Sequence, residues 1–219
     1  MTIYNNEIEW GKTDALIFDM DGTLWDAVDS YCKVWIECLR KFGIDAEVKR
    51  DDLIRQMGKP LDVIYQNLFN GKFVSPKEFM PELEKLEIEM MPKLGGIPYP
   101  GVHDGIKALS EKYSVMLLSN CGADGLNNLM RVADIERYIT KAVTFGETQR
   151  PKDENLRIIK RNYNLSLPVY VGDTQGDCDS THAAGMPFAF AEYGFGTCAD
   201  ADISFKSFTE LTDYFLSLK

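Results

Sequence analysis

The sequence predicts an α/β fold, with a doubly wound parallel sheet at the core and an all-helical insertion. Short apolar runs alternate with helix-like stretches along most of the chain, which is typical of parallel strands joined by crossover helices. The alternation is interrupted once, between about residues 25 and 93, where every pattern is helical. A chain of 219 residues is long enough for a core domain with a smaller insertion of this kind.

The predicted strands are short apolar runs that end in polar or glycine-containing turns. The first covers residues 15–18 and leads directly into an acidic turn that begins at Asp19. Continuous apolar runs of this length are expected for strands that are covered on both faces of a sheet. The later strands are predicted over residues 115–118, 142–145, 169–171 and 188–190.

Helices are predicted between these strands and throughout the insertion. In the core they cover residues 102–112, 125–132, 153–163, 177–184 and 208–218. In the insertion they cover residues 26–42, 50–57, 60–69 and 75–91. Gly95 and Gly96 mark the return to the core. We therefore expect a core made of residues 1–24 and 97–219 and a helical domain made of residues 25–96.

Charge and composition limit the possible functions. The net charge is −10, from 24 basic and 34 acidic side chains, so nucleic acids and anionic membranes would be repelled rather than attracted. The five cysteines form no CxxC pair, which fits a reducing compartment. The sequence has no secretory leader pattern and no run of roughly 18 apolar residues. We expect a cytoplasmic protein that acts on a small molecule, with no feature that calls for an obligate protein partner.

The most informative motif is the acidic turn Asp19-x-Asp21-Gly22-Thr23 at the end of the first strand. In open α/β sheets, ligands bind where parallel strands end. Two carboxylates so close together would repel each other, and a bound divalent cation would remove that repulsion. Asp19 could then attack a phosphoryl group, while Asp21 could supply and recover a proton. The alternative, from this motif alone, is a solvated turn with two surface acids.

Two further motifs offer ligands for an anion. Ser119 and Asn120 follow the strand predicted over residues 115–118, where a hydroxyl and free backbone N–H groups suit phosphate oxygens. Both residue types are also ordinary helix N-caps, so this motif alone has a purely structural explanation. Lys152 lies at a helix start, where the helix dipole disfavours a cation, and could neutralise a carboxylate and a phosphate together. A solvated surface lysine is the alternative.

The fourth motif runs from Asp173 to Asp177 and follows the strand predicted over residues 169–171. If that strand neighbours the first one, its acids face those of the first motif. Oxygen ligands of this kind, completed by water and a substrate phosphate, suit Mg²⁺. The alternative is that these acids only cap the following helix, and Asp177 in particular could be an N-cap.

Some residues of the insertion could also contact a ligand. Trp25, Tyr31 and Trp35 are expected in the hydrophobic core of the insertion, with a substrate-contacting surface as the alternative. Arg55 and Lys59 could reach a substrate, although solvated positions explain them as well.

Taken in order, these four motifs resemble those of the haloacid dehalogenase superfamily of phosphatases. The helical insertion between the first and second motifs resembles the phosphoglycolate phosphatase-like branch, in which it forms a cap. The similarity extends from Asp14 to the end of the chain. It implies a Rossmann-like core with an active site between core and cap, and Mg²⁺ as the cofactor.

The resemblance also implies roles for individual acids. Asp19 is expected as nucleophile and metal ligand. Asp21 is expected as general acid and base that also offers its backbone carbonyl to Mg²⁺. Asp173 is expected as the remaining carboxylate on the metal, and Asp177 as an acid at the metal site that orients its neighbours.

The remaining motif residues are expected to hold the substrate phosphate. They are Gly22 and Thr23 of the first motif, Ser119 and Asn120 of the second, and Lys152 of the third. One departure concerns the lysine, because many relatives carry a Lys-Pro-x-Pro pattern that would place Arg150 at this position. Lys152 is preferred, since an acidic helix start follows it, but Arg150 stays open as the alternative.

These implications converge on Mg²⁺-dependent hydrolysis of a small phosphomonoester metabolite through an aspartyl phosphate on Asp19. Related dehalogenases lack an acid at the position of Asp21, so its presence favours phosphoryl chemistry. Two alternatives remain open. One is a phosphosugar mutase of the β-phosphoglucomutase type, which shares all four motifs. The other is a non-catalytic protein that binds a phosphorylated ligand.

Overall fold

The computed structural model describes residues 1–59, 61–69, 76–122 and 124–219. Two ends of the predicted helices, Pro60 and Ser75, lie outside these ranges. In the described part of the chain, none of the helices is both long enough and apolar enough to cross a membrane.

The central sheet is mostly parallel, as the sequence predicts. Its strand order is β1-β9-β8-β7-β2-β5-β6, and only β1 runs antiparallel to its neighbour. A separate two-stranded ribbon pairs β3 with β4. The strands are β1 (Thr2–Ile3), β2 (Ala15–Phe18), β3 (Trp25–Asp26), β4 (Ile97–Pro98), β5 (Ser114–Ser119), β6 (Lys141–Thr144), β7 (Pro168–Gly172), β8 (Phe188–Ala191) and β9 (Ile203–Phe205).

Ten described α-helices accompany these strands, four in the insertion and six in the core. Those of the insertion are α1 (Val28–Lys41), α2 (Arg50–Ile54), α3 (Leu61–Phe69) and α4 (Pro76–Leu94). Those of the core are α5 (Val102–Ser110), α6 (Gly125–Val132), α7 (Phe145–Thr148), α8 (Lys152–Asn162), α9 (Gln175–Ala183) and α10 (Phe208–Ser217). The predicted fold class is therefore confirmed.

Strand β2 is central because both of its faces and both of its edges are covered. Its four residues are all buried. Leu16 and Phe18 pack into one hydrophobic cluster, whereas Ile17 packs into a second cluster on the opposite side of the sheet. Its last residue, Phe18, is in register with Leu117 on β5 and Val171 on β7. The three strands thus end at the same edge of the sheet, which is where the predicted motifs follow.

The insertion has a hydrophobic centre of aromatic rings. Tyr65 and Phe79 lie 4.7 Å apart between ring centroids, and Trp35 lies 5.7 Å from Phe79. All three are fully or almost fully buried. Aromatic contacts of this kind stabilise helices that pack on each other without a sheet.

The β3–β4 ribbon lies where the chain leaves the sheet and returns to it. Trp25 pairs with Pro98, and Asp26 with Ile97. We propose that this ribbon marks the boundary between a core of residues 1–24 and 97–219 and a cap of residues 25–96.

The structure differs from the predicted elements mainly at their ends. The strand predicted over residues 142–145 ends at Thr144, because the Thr144 hydroxyl accepts a hydrogen bond from the backbone N–H of Glu147 and caps the short helix α7. Four short strands, β1, β3, β4 and β9, are not predicted by the sequence. Each has only two or three residues, too few to show a periodic pattern in the sequence.

The aromatic centre of the insertion allows a test of stability. We expect Phe79→Ala to lower the free energy of unfolding by about 3–5 kcal/mol, because it removes a buried ring and leaves a cavity. Ile88→Ala on the same helix is the control, since Ile88 is 57% exposed and should cost less than about 0.5 kcal/mol. Urea denaturation followed by circular dichroism measures both. Equal losses in the two variants would contradict the proposed role of Phe79.

Candidate active site

Three carboxylates meet at the edge of the sheet where β2 and β7 end. Asp19 follows β2 directly, and its backbone N–H donates to the carbonyl of Val171 on β7 at 2.9 Å. Asp173 follows β7, and Asp177 lies one turn later in α9. One carboxylate oxygen from each of these three acids lies within 4.8 Å of the others, and all three side chains are buried. The register of the central strands is what brings them together.

Lys152 is the cation of this cluster. Its ammonium donates to Asp19 Oδ1 at 3.2 Å and also to Asp177 Oδ1, and its side chain is only 4% exposed. The ammonium lies 5.2 Å from the ring centroid of Tyr170 on β7. Although burial alone would lower the pKa of Lys152, Asp177 and Asp19 hold it well above its usual value. Lys152 is therefore charged and fixed between two acids.

Arg150, the other candidate for this position, lies elsewhere. Its guanidinium pairs with Glu154 one turn along the same helix, at 2.7 Å, and its side chain is 50% exposed. Among the described residues, only Lys152 of the two contacts the acid cluster.

Asp177 has two partners with different roles. Its Oδ2 accepts hydrogen bonds from the backbone N–H and the hydroxyl of Thr174, while the Thr174 hydroxyl accepts from the backbone N–H of Asp177. This reciprocal pair is a capping box at the start of α9, with Thr174 as the N-cap. Asp177 is the third residue of the helix and not its N-cap. The alternative that Asp177 is the N-cap is therefore wrong, because Thr174 holds that position. The other oxygen of Asp177 remains available to Lys152.

Only one of the two carboxylate oxygens of Asp173 has a hydrogen-bond partner among the described residues. Its Oδ2 accepts from the backbone N–H of Phe195 at 2.8 Å. Its Oδ1 is buried and has no hydrogen-bond partner among the described residues. An unpartnered buried carboxylate oxygen is costly, and it is the kind of atom that a metal ion satisfies.

Two glycines make room for Asp173. Gly22 has a φ of +81°, and a Cβ at this position would lie 2.1 Å from Asp173 Oδ2. A Cβ at Gly194 would lie 2.3 Å from the Cβ of Asp173. The sequence predicts that Gly22 holds phosphate, and in the structure Gly22 lies against the carboxylate of Asp173. The loop that carries Gly194 and Phe195 was not recognised in the sequence, because nothing in its composition distinguishes it from an ordinary turn.

The carboxylate of Asp21 lies outside the three-acid cluster. Its Oδ1 accepts from the indole N–H of Trp25 at 3.0 Å, and its Oδ2 accepts from the hydroxyl of Tyr31 at 3.3 Å. Burial raises its pKa well above the usual value, and the charge of Asp19 adds to the increase. Asp21 is thus oriented by aromatic donors and favours its protonated form.

The pKa values of two cluster acids, Asp19 and Asp173, are shifted in the same direction as that of Asp21. Burial raises the pKa of Asp19 to about 6, with Lys152 opposing the shift and Asp177 adding to it. Burial also raises the pKa of Asp173 well above its usual value, and Asp177 and Asp19 raise it further. Lys152 alone is therefore not enough to keep all of these acids ionised, so the site favours a further cation.

The remaining motif residues lie around the cluster. Ser119 is buried at the end of β5. Asn120 follows it, and its side-chain amide donates to the carbonyl of Gly58 in the insertion at 3.2 Å. Thr23 is fully buried, its carbonyl accepts from the hydroxyl of Tyr193, and its own hydroxyl has no partner among the described residues.

A small cavity of about 90 Å³ lies between the core and the insertion, and Asp19 and Lys152 contribute to its wall. Gly22 and Thr23 are not among the described residues that line it. The lining contains five residues of the motifs, namely Asp19, Asp21, Ser119, Asn120 and Lys152, and eleven others, namely Tyr31, Trp35, Leu53, Met57, Gly58, Lys59, Leu61, Ile64, Glu87, Cys121 and Gly122.

The insertion therefore contributes most of the wall opposite the acids. Tyr31 and Trp35 line this cavity as well as packing in the insertion. Lys59 also lines it, whereas Arg55 does not. Glu87 was not identified from the sequence, because it is one of several acids on α4 and no pattern distinguishes it from its neighbours.

Comparisons with known proteins show the family of this chain. A family model described as haloacid dehalogenase-like hydrolase matches residues 16–191. A phosphoglycolate phosphatase from Aquifex aeolicus is 25% identical over 188 residues, which cover 83% of this chain and 85% of the relative. The pyrophosphatase PpaX of Listeria innocua is 21% identical over 190 residues, which cover 82% of this chain and 85% of the relative.

Solved structures show the same fold. A crystal structure described as a predicted phosphoglycolate phosphatase from Haemophilus somnus has a TM-score of 0.81 at 17% identity, covering 93% of this chain and 98% of that one. A predicted phosphatase from Clostridium acetobutylicum has a TM-score of 0.78 at 19% identity, covering 94% of this chain and 99% of that one. With the family match over most of its length, the chain belongs to the haloacid dehalogenase-like hydrolases.

Proposed function

We propose that this hydrolase is a Mg²⁺-dependent phosphatase that acts on a small phosphomonoester metabolite through an aspartyl phosphate. The proposal rests on the placement of Asp19, a buried carboxylate that lines the cavity. Its Oδ1 lies 3.2 Å from the ammonium of Lys152, and the carboxylates of Asp173 and Asp177 lie beside it. The phosphatase names of the relatives support the same reaction class.

In the first step, an oxygen of Asp19 attacks the phosphorus of the substrate. A bond forms between that oxygen and phosphorus, and the bond from phosphorus to the leaving alcohol oxygen breaks. The leaving oxygen takes the proton of Asp21, whose pKa is raised and whose carboxyl lines the same cavity. Asp19 then carries the phosphoryl group as a mixed anhydride.

In the second step, water attacks the phosphorus and Asp21 accepts its proton. The bond between phosphorus and Asp19 breaks, which releases inorganic phosphate and restores both carboxyl groups. Trp25 and Tyr31 hold Asp21 in one orientation throughout, since each donates to one of its oxygens. Lys152 neutralises Asp19 and the transferred phosphoryl group.

The donor set at the cluster fits a magnesium ion. Asp19 and Asp173 would hold it, with the backbone carbonyl of Asp21, because these are hard oxygen donors and Asp173 Oδ1 has no other partner in the described structure.

Asp177 is engaged by Lys152 and Thr174, and would act by orienting the lysine. When bound, Mg²⁺ offsets negative charge on the transferred phosphoryl group. Ser119 and the backbone at Asn120 would hold the phosphate oxygens.

The alternative of a phosphosugar mutase requires a second pocket for phosphate. A second cavity of about 220 Å³ adjoins the first, and no basic residue is found among the described residues that line it. This favours hydrolysis over transfer within a bisphosphate.

The direct test of the phosphatase function is Mg²⁺-dependent release of phosphate from p-nitrophenyl phosphate, with and without EDTA. No release from a broad panel of phosphomonoesters would favour the non-catalytic alternative.

The nucleophile can be tested by an isosteric change. We expect Asp19→Asn to lower phosphate release by about 10³-fold or more, because the amide cannot form the acyl phosphate. Asp213→Asn is the control, because this substitution makes the same change in charge at a residue that is exposed on α10. Steady-state kinetics measure the rates, and circular dichroism verifies folding. A wild-type rate in Asp19→Asn would exclude the covalent mechanism.

The choice between the two basic residues can be tested in parallel. We expect Lys152→Met to lower kcat by about 10²-fold or more, because a charge that contacts Asp19 is lost from a buried site. Arg150→Met should change kcat by less than about twofold, since its partner is the exposed Glu154. Melting curves of both variants separate loss of charge from loss of fold. A larger loss in the folded Arg150 variant would reverse the assignment.

The role of Gly22 leads to a prediction about metal binding. We expect Gly22→Ala to weaken Mg²⁺ binding about tenfold or more, because the added methyl group would displace the carboxylate of Asp173. Gly43→Ala is the matched control, since Gly43 also has a positive φ of +68° but nothing lies within 4 Å of its added Cβ. Isothermal titration calorimetry with Mg²⁺ measures both. Equal affinities in the two variants would show that Asp173 does not hold the ion.

A further inference from the structure

The leaving-group side of the cleft is acidic. Glu87 on α4 lines the 90 Å³ cavity together with Asp19 and Asp21, and it also lines the adjoining cavity of 220 Å³. It is half-buried and forms no ion pair or hydrogen bond within the described part of the chain. A carboxylate in this position, without a partner of its own, is available to a ligand.

Glu87 faces the cavity because of its position on the helix. Glu84, Glu87 and Met91 lie three and four residues apart on α4, so they share one face, and all three line the second cavity. Asp124 lines that cavity from the core side. The second cavity therefore has three carboxylates and, among its described lining residues, no lysine, arginine or histidine.

Neither basic residue that lines the first cavity is paired with Glu87. Lys152 pairs with Asp19 and Asp177. Lys59 is exposed, and its ammonium donates to the carbonyl of Arg55 and to the side-chain oxygen of Gln56 in its own loop. Of the described lining residues, Lys59 alone could offset a second anionic group on the substrate, and its side chain is exposed, whereas Glu87 is half-buried.

The surroundings of Glu87 favour a cation. Burial raises the pKa of Glu87 to about 7, and the charge of Glu84 adds to the increase, so a positively charged neighbour would relieve an unfavourable charge. The aromatic side chains of Tyr31 and Trp35 line the same cavity, and aromatic faces next to a carboxylate are a common environment for ammonium groups. A carboxylate-bearing alcohol would instead add repulsion.

We propose that the substrate of this enzyme is a phosphomonoester whose alcohol carries a cationic amine, and that Glu87 binds this amine. The inference rests on the proposed phosphatase function and adds the chemical class of the leaving group. Glu87 is then a specificity-determining residue: the core acids cleave the ester, and the carboxylate on α4 selects what leaves.

Three esters that differ only at one end test this proposal. They are O-phosphoethanolamine with an ammonium, 2-hydroxyethyl phosphate with a neutral hydroxyl, and 2-phosphoglycolate with a carboxylate. For the wild-type protein with Mg²⁺, we expect kcat/KM to fall in this order, with about tenfold or more between the first and the last. A higher value for 2-phosphoglycolate than for O-phosphoethanolamine would overturn the proposal.

Glu87→Gln is the decisive variant, because it keeps the shape of the side chain and removes its charge. We expect the ratio of kcat/KM for the amine ester to that for the hydroxyl ester to fall about tenfold, and the carboxylate ester to gain relative to the hydroxyl ester. Glu89→Gln is the control, since Glu89 is exposed on the same helix and lines neither cavity. Its ratios should match those of the wild type.

The outcomes separate the inference from the proposed function. Unchanged ratios in Glu87→Gln, or an equal loss for the amine and hydroxyl esters, would overturn the assignment of Glu87 while the phosphatase function stands. A failure of the wild-type protein to release phosphate from all three esters and from p-nitrophenyl phosphate would overturn both.

Discussion

The structure depends on the compensation of buried negative charge at one edge of the sheet. The register of β2 between β5 and β7 brings one carboxylate oxygen each of Asp19, Asp173 and Asp177 within 4.8 Å of one another. Burying several carboxylates together is unfavourable unless cations are present, because each must give up its hydration. Lys152 supplies one positive charge from within the chain, and the unpartnered oxygen of Asp173 favours another from solution.

This requirement explains several local features of the site. Gly22 adopts a positive φ and leaves no atom where a side chain would collide with Asp173. Thr174 and Asp177 cap α9 reciprocally, which fixes the acid so that its second oxygen meets Lys152. The helix start at Lys152 places a cation where the dipole disfavours it, and the contacts with two acids outweigh that cost.

Most of the fold could be predicted from the sequence, because buried parallel strands leave a strong apolar signal. The four motifs could also be ordered along the chain, since each follows such a strand. The ends of elements were less predictable, as at Thr144, where a side-chain cap ends the strand earlier than the apolar run does. The contacts of Gly194 with Asp173, and the choice between Lys152 and Arg150, depend on distances between segments that are far apart in the sequence.

The position of Glu87 could not be predicted from the sequence for a different reason. The acids proposed for catalysis follow the end of β2 in the core, where the sheet dictates their position, and Lys152 starts a core helix. The walls that face them come largely from the insertion, where helix packing decides which side of each helix meets the cleft. On α4, Glu87 faces the cleft whereas Glu89 faces solvent, although the two are the same residue type two positions apart. Reaction chemistry can therefore be constant within this fold while selectivity changes, because a single rotation or substitution on a cap helix alters the charge presented to the leaving group and leaves the acid cluster untouched.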